Sequence, residues 1–259
     1  MDVAQTNIQL YNQLRRQKRS EDDLKRVQLA YEFVTSLYGG YLQSDGKPFL
    51  AHLIGVASIV SQLGTSIDTV LAALAHNAYG NGDFGDGLSS CSNARRRKMM
   101  VAALGEAAEE MVLRFPNIHL SPDTLGGISE RLDAMSETER SVLLLGLSDI
   151  LEKYADFGVL YYGEDRWARE LEDEHAEEVC EIARRLDQPA LAAALAQAFA
   201  AVAAEEELLN GRLRTSDGRR HLKLVVPRSC RRRLLPYLVS RTQKWGRRAG
   251  KAARSLLNR

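Results

Sequence analysis

The chain has 259 residues, 45% of them hydrophobic and 27% charged, as in globular proteins with one sizeable core, or one domain plus an appendage. It has no run of about 18 apolar residues and no N-terminal apolar stretch of signal-peptide length, so we expect neither a spanning helix nor secretion and predict a cytoplasmic protein. Its three cysteines are far apart, which argues against a disulfide framework or a zinc knuckle.

The net charge of +1 conceals two oppositely charged parts of the chain. Residues 1–211 carry 19 Lys and Arg against 33 Asp and Glu, whereas residues 212–259 carry 16 Lys and Arg against a single Asp. We therefore predict two domains, a body over 1–211 and a basic tail over 212–259. The density of positive charge in the tail indicates a binder of anionic surfaces.

Helical periodicity dominates the body of the chain. Ser20 and Asp23 predict the start of the first helix, and Gly39-Gly40 predicts its end. Apolar spacing predicts further helices over 49–63, 66–78, 94–114 (with a break near Gly105), 137–154, 164–186 and 190–209. Two segments are expected to be loops: the glycine-rich stretch 80–93 and the stretch between Pro116 and Pro122.

Beyond residue 209 the composition changes to a polar linker over 211–218, a short strand over 221–226 and a basic helix from about residue 231. No βαβ pattern is present, so the predicted fold class is all-α, one helical domain with a C-terminal appendage. The tail helix is predicted to be amphipathic, with Trp245 among its apolar residues, which is typical of peripheral binders of anionic membranes. Docking on the acidic body is a rival interpretation. Nucleic-acid binding ranks last, because no recognised module accompanies the tail.

Two histidines and an aspartate stand out because they occur in apolar stretches. His52 and His76 lie 24 residues apart in PFLAHLIGVA and LAALAHNAYG, and Asp149 lies in LLLGLSDIL. A single such histidine is more often a core residue with a satisfied hydrogen bond. An ionised carboxylate, however, is costly to bury unless it is paired or bound to a metal. The three residues together therefore favour a metal site.

The segments that carry these residues resemble the HD-domain superfamily, in particular the hydrolase domain of the enzymes that make and degrade the alarmone ppGpp. The stretch DGKPFLAHLIGVASIVSQLGTSIDTVLAALAHN is similar to the family segment around its first metal-binding histidine and its His-Asp pair. LSDILEK, at 147–153, is similar to the segment with the final metal-binding aspartate. HNAYG, at 76–80, is similar to the His-x-x-Tyr-Gly signature of an uncharacterised HD-like family. The resemblance covers roughly residues 25–165 and implies an HD-like helical bundle.

The resemblance also implies which residues form the site. His52, His76 and Asp149 take the metal-ligand positions, and Asn77 takes the position of the fourth ligand, an aspartate in the family. Tyr79 is a candidate hydrogen-bond donor to the pocket. Three further positions depart from the alarmone hydrolases: Gln43 replaces an arginine, and Gly80 and Asn81 replace a Glu-Asp pair that supports the attacking water. Asp83 is a candidate substitute for that pair.

Two imidazoles and one carboxylate suit a divalent metal ion such as Mn, Fe or Zn. The leading prediction is a metal-dependent hydrolase of a phosphorylated small molecule or nucleotide. In that case the basic run 95–98 is either an attractor of phosphate or a solvated helix face. Two alternatives remain open. One is a catalytically retired HD-like binding protein, which the changes at 43, 77, 80 and 81 favour. The other is a mononuclear non-haem iron oxygenase on an HD scaffold. The sequence does not indicate an oligomeric state.

Overall fold

The structure is a computed structural model that describes residues 1–43, 45–88, 91–118, 120–161, 175–209 and 223–225. Within these residues the chain is almost entirely helical, and the predicted all-α class is confirmed. The α-helices are α1 (Asn7–Arg16), α2 (Glu21–Tyr38), α3 (Phe49–Gln62), α4 (Ile67–Ala75), α5 (Ala78–Asn81), α6 (Ala94–Leu104), α7 (Glu106–Arg114), α8 (Pro122–Arg131), α9 (Glu137–Ala155), α10 (Ala176–Arg185) and α11 (Pro189–Leu209).

Short elements complete the fold. Three 3-10 turns follow α7, α8 and α9, at Phe115–Asn117, Leu132–Ala134 and Gly158–Tyr161. Two strands of two residues each are β1 (Tyr41–Leu42) and β2 (Lys223–Leu224), the second inside the predicted strand 221–226. In the part of the chain that the structure describes, no helix has both the length and the hydrophobicity needed to cross a membrane.

Two helices that the sequence pattern did not predict are present. Before α1, the Thr6 side chain accepts from the backbone N–H of Gln9 while the Gln9 side chain accepts from that of Thr6, a capping box. Before α8, Ser121 and Thr124 make the same reciprocal arrangement, and Pro122 occupies the first helical position. A proline there loses nothing, because its missing N–H would have no partner in the helix.

The helix predicted over 66–78 was wrong in one respect that matters for the site. It ends at Ala75, and a new one-turn helix, α5, begins at Ala78. His76 and Asn77 form the break between the two helices. The break near Gly105 is confirmed. Gly105 joins α6 to α7 with φ = 90°, a backbone conformation that residues other than glycine rarely adopt.

The core of the body is built around α3, α4 and α9. Helix α3 packs against α4 and α9, and α4 also packs against α7. Helix α9 takes part in both hydrophobic clusters of the body: Val142 and Leu145 lie in one, whereas Leu143 and Leu147 lie in the other. Because α3, α4 and α9 are buried on most of their surface, any polar side chain that they carry at their junction is held in a dry environment.

Contacts along the chain define two units, Met1–Lys223 and Leu224–Arg259, and residues 224–225 are the described part of the second. The predicted domain boundary at 211–212 and the linker 211–218 lie outside the described residues, as does the predicted basic helix beyond 231. Of the charged helix predicted over 164–186, the described part is α10, which ends at Arg185. The two-domain division and the amphipathic tail therefore remain predictions.

Candidate metal centre

Three polar side chains meet at the junction of α3, α4 and α9. His52 comes from the first turn of α3, His76 from the C-terminal end of α4, and Asp149 from the middle of α9. One ligand atom from each lies within 4.8 Å of the others. These are the three residues that the sequence marked as metal ligands, and the fold brings them together from positions up to 97 residues apart.

The facing atoms of these residues are close, yet two of them lack hydrogen bonds. His52 Nε2 lies 3.1 Å from Asp149 Oδ1, and His76 Nε2 lies 3.5 Å from the same oxygen. Both His52 Nε2 and Asp149 Oδ1 are buried and make no hydrogen bond of acceptable geometry. Buried polar atoms are nearly always satisfied. Unsatisfied ligand atoms that point at a common place fit a divalent cation, which both a histidine nitrogen and a carboxylate oxygen can coordinate.

A second carboxylate, Glu152, orients His52 from the opposite side of its ring. Glu152 Oε2 lies 2.6 Å from His52 Nδ1, so Nδ1 carries the proton and Nε2 is left to face Asp149. The Glu152 side chain is almost fully buried. It can lie against α3 because residue 55 is glycine: a Cβ there would be 2.7 Å from Glu152 Cγ. Hydrogen-bonded carboxylates of this kind commonly stand behind metal-binding histidines.

Two lysines neutralise the carboxylates of the site. Lys153 Nζ donates to Asp149 Oδ2 at 2.6 Å, which leaves Oδ1 directed at the histidines. Lys47 forms ion pairs with Glu152 and with Asp156. Both lysine side chains are largely buried, at 14% and 12% exposure. Each ionised carboxylate therefore has a cationic partner, as burial requires.

Burial and the neighbouring charges shift the pKa values of the two histidines in opposite directions. Burial alone would lower the pKa of His52, but the carboxylates of Glu152 and Asp149 outweigh it and raise that pKa to about 9. Burial lowers the pKa of His76. Burial would raise the pKa of Asp149, but Lys153 and the two histidines hold it well below its usual range. Without an ion, the carboxylates therefore favour the charged form of His52, whereas burial favours the neutral form of His76.

Asn77, the residue in the fourth-ligand position, touches His76 directly. Its Nδ2 lies 2.8 Å from His76 Nε2, and His76 Nδ1 lies 2.7 Å from the carbonyl oxygen of Ala73. The ring of His76 also packs edge-on against Phe115, with centroids 4.9 Å apart. The backbone and an aromatic ring therefore fix the orientation of His76, and an amide occupies one of its nitrogens.

Two further predicted site residues have their contacts elsewhere. The Tyr79 hydroxyl donates to Glu109 Oε1 at 2.5 Å, and Arg97 holds both oxygens of the same carboxylate at 2.9 Å. Burial, and then the bond to Glu109, raise the pKa of Tyr79. Asp83 is exposed, and its carboxylate accepts from the backbone N–H of Gly85. Their assignment as catalytic residues stays a prediction.

The basic run 95–98 divides between structural and exposed residues. The Arg96 side chain is fully buried, bonds both oxygens of Asp86 and donates to the carbonyl oxygens of Leu88 and Cys91. The guanidinium also lies 4.6 Å from the centre of the Phe84 ring. Arg96 is therefore neither solvated nor free for phosphate: it fixes the glycine-rich segment that follows α5.

Sequence reasoning missed Glu152, Lys153 and Lys47. A signal was present for the first two, because residues three and four positions after Asp149 lie on the same face of a helix and must meet the same surroundings. Lys47 gave no signal of that kind. Its approach to Glu152, 105 residues away, depends on how the segment before α3 packs against α9.

Comparisons with known proteins find likeness over parts of this chain. The model of a domain of unknown function, DUF6817, matches residues 33–119, which include both histidines but not Asp149. The bifunctional (p)ppGpp synthase/hydrolase SpoT of Escherichia coli (strain K12) is 33% identical over 66 residues, which are 26% of this chain and 9% of that protein. The bifunctional (p)ppGpp synthase/hydrolase RelA of Mycobacterium tuberculosis (strain ATCC 25618 / H37Rv) is 36% identical over 55 residues, 21% of this chain and 8% of RelA.

The chain spans only a small part of the length of these curated relatives, so the likeness concerns one region and not the whole proteins. Together with the helical fold and the His–His–Asp group, the matches are consistent with an HD-like relationship.

Proposed function

We propose that the chain is a metal-dependent hydrolase of a phosphorylated small molecule or nucleotide. The observation that carries the proposal is the convergence of His52, His76 and Asp149 on one buried place with two ligand atoms left unsatisfied. Partial likeness to proteins named as (p)ppGpp hydrolases supports phosphate-ester or pyrophosphate chemistry as the class of reaction. The substrate itself is not specified by that likeness.

In this proposal His52 and His76 each present Nε2, and Asp149 presents Oδ1, to a Mn, Fe or Zn ion. A divalent ion in such a site polarises a phosphoryl oxygen and lowers the pKa of water. The chain's own residues orient the ligand side chains and exclude water from the site. Glu152 fixes the ring of His52, and Lys153 keeps Oδ2 of Asp149 engaged, so Oδ1 would be the oxygen available to hold the ion. Phe49 packs edge-on against His52 and shields it.

Two other functions, an oxygenase and a retired enzyme, each have support of their own. Two histidines and one carboxylate also form the facial set of non-haem iron oxygenases, which is the basis of the oxygenase alternative. The retired-enzyme alternative has its own support: Gly80 and Asn81 lie where two acids assist the water in the alarmone hydrolases, and Asn77 bonds His76.

Metal analysis of protein purified without added metal distinguishes the three functions. Manganese-stimulated release of phosphate or pyrophosphate from a panel of nucleotides supports the hydrolase, whereas iron with oxygen-dependent turnover supports the oxygenase. Substoichiometric metal that does not fall in His76→Ala points to the retired enzyme. His175→Ala is the matched control, because it removes an imidazole at the start of α10 that is not part of the His52–His76–Asp149 group. Metal lost equally in both variants contradicts the proposed site.

We also propose that residues 212–259 associate with anionic membrane surfaces, at the cytoplasmic face of the inner membrane. The support is composition: 16 Lys and Arg against one Asp, next to a body of opposite net charge. Co-sedimentation of the full chain with anionic vesicles at low salt tests the idea, with neutral vesicles and high salt as controls. No sedimentation with anionic vesicles at low salt removes it.

A further inference from the structure

The side chain of Asn77 contacts His76 and does not cap the helix that follows it. Asn77 is the residue before α5, a position where asparagine usually caps the helix by accepting from backbone N–H groups. Here it makes no side-chain cap hydrogen bond. Its amide nitrogen instead lies 2.8 Å from His76 Nε2. An asparagine that caps nothing and contacts a candidate ligand atom calls for an explanation at the site.

The direction of that hydrogen bond follows from the other side of the ring. His76 Nδ1 lies 2.7 Å from the carbonyl oxygen of Ala73, and a carbonyl only accepts, so Nδ1 carries the ring hydrogen. The amide nitrogen of Asn77, 2.8 Å from Nε2, only donates, so Nε2 accepts with its lone pair. The Asn77 amide must therefore present its NH2 group and donate. An ionised aspartate at position 77 has no hydrogen to donate.

The same lone pair is the one that His76 has to offer a metal ion, because Nδ1 is already engaged. The amide hydrogen and the ion compete for a single site on Nε2. We propose that Asn77 is a gate on the metal centre. It closes the metal-free site by donating to His76, and it must turn away before His76 can bind an ion. The inference rests on the proposed metal site and deepens it, because the hydrogen bond that must break opposes the binding of the ion.

The gate is tested with Asn77→Ala, Asn77→Asp and the control Asn12→Ala, which alters an exposed asparagine of α1. Titration calorimetry with Zn²⁺ and with Mn²⁺ gives the affinity of each metal-free protein. A neutral hydrogen bond that must be broken weakens binding about fivefold, so Asn77→Ala is expected to bind the ion about fivefold more tightly than the native chain. Asn77→Asp binds more tightly still, since it removes the donor and adds a carboxylate. Asn12→Ala binds like the native chain.

A second measurement needs no metal. The ¹⁵N resonance of His76 Nε2 in the metal-free protein reports whether that nitrogen accepts a hydrogen bond, and it is expected to move in Asn77→Ala and not in Asn12→Ala. An unmoved resonance overturns the gate, and so does weaker metal binding by Asn77→Ala, which would make Asn77 a ligand. If no variant binds metal while the resonance moves as expected, the hydrogen bond stands. The proposed metal site then fails, and with it the gate.

Discussion

Replacing Glu152 by glutamine removes one charge from the site and almost no volume. Glu152 Oε2 lies 2.6 Å from His52 Nδ1, and the side chain is enclosed, with Cγ so close to Gly55 that even a methyl group on residue 55 would contact it. The amide of glutamine fits the same space and still offers His52 an oxygen. The substitution therefore isolates the charge of the carboxylate from its packing.

The magnitude follows from the strength of a charge-assisted hydrogen bond, roughly 1.5–3 kcal/mol. One pKa unit corresponds to about 1.4 kcal/mol, so Glu152→Gln should lower the pKa of His52 by about one to two units from its value of about 9. Carboxylates behind metal-binding histidines also strengthen the metal bond, and their removal typically weakens metal affinity by about 10–100-fold. Both changes are expected together.

The assay is an NMR titration of the His52 ring in metal-free protein, followed by calorimetric titration with Zn²⁺. Asp156→Asn is the matched control, because Asp156 is the other carboxylate paired with Lys47 and has no recorded contact with His52. It should leave the pKa of His52 and the metal affinity close to native. If Glu152→Gln also leaves both quantities unchanged, Glu152 does not support His52 and our account of the site is refuted.

Three further outcomes are expected. The pKa of His52 is raised from 6.5 to about 9 in the fold, so its contribution to the free energy of unfolding, about 3 kcal/mol, is complete below about pH 6.5. That contribution is lost as the pH rises through about 9. The urea midpoint of the metal-free protein should fall over that range, and a level midpoint would contradict the prediction. Gly55→Ala should cost about 1–3 kcal/mol of unfolding free energy and weaken metal binding, because the new methyl displaces Glu152; unchanged values for both would count against the close packing. Tyr79→Phe should cost about 1 kcal/mol through its lost bond to Glu109 and leave metal affinity native, whereas lost turnover at native stability would support a catalytic Tyr79.

Much of the fold could be predicted from local patterns, because most helices carry their own start and stop signals. Apolar spacing predicted α3 and α9 nearly to the residue. The misses have local causes too. Helix α8 starts with a serine cap and a proline. A proline interpreted only as a helix breaker predicts a loop, although proline is also common in the first turn of a helix. The break after Ala75 has no glycine or proline to mark it.

The site was harder to predict, because it depends on contacts between distant segments. His52 and His76 were recognised from their apolar surroundings, and Asp149 from the cost of burying a carboxylate. The buried carboxylate favoured one metal site formed by all three, and the resemblance to HD proteins gave their ligand positions. Nothing local in the sequence shows that Lys47 approaches Glu152 across 105 residues, since that depends on packing.

The charge balance of the site explains what an asparagine at position 77 changes. Without an ion, Lys153 pairs with Asp149, and Lys47 is shared by Glu152 and Asp156. The proton on a charged His52 supplies the remaining positive charge. A divalent ion that takes the place of this proton adds one further positive charge. A carboxylate at position 77 would cancel that charge, and the neutral Asn77 does not. The loaded site is therefore more positive than one with four full ligands. The same substitution that weakens the hold on the ion strengthens the attraction for an anionic ligand such as a phosphate group.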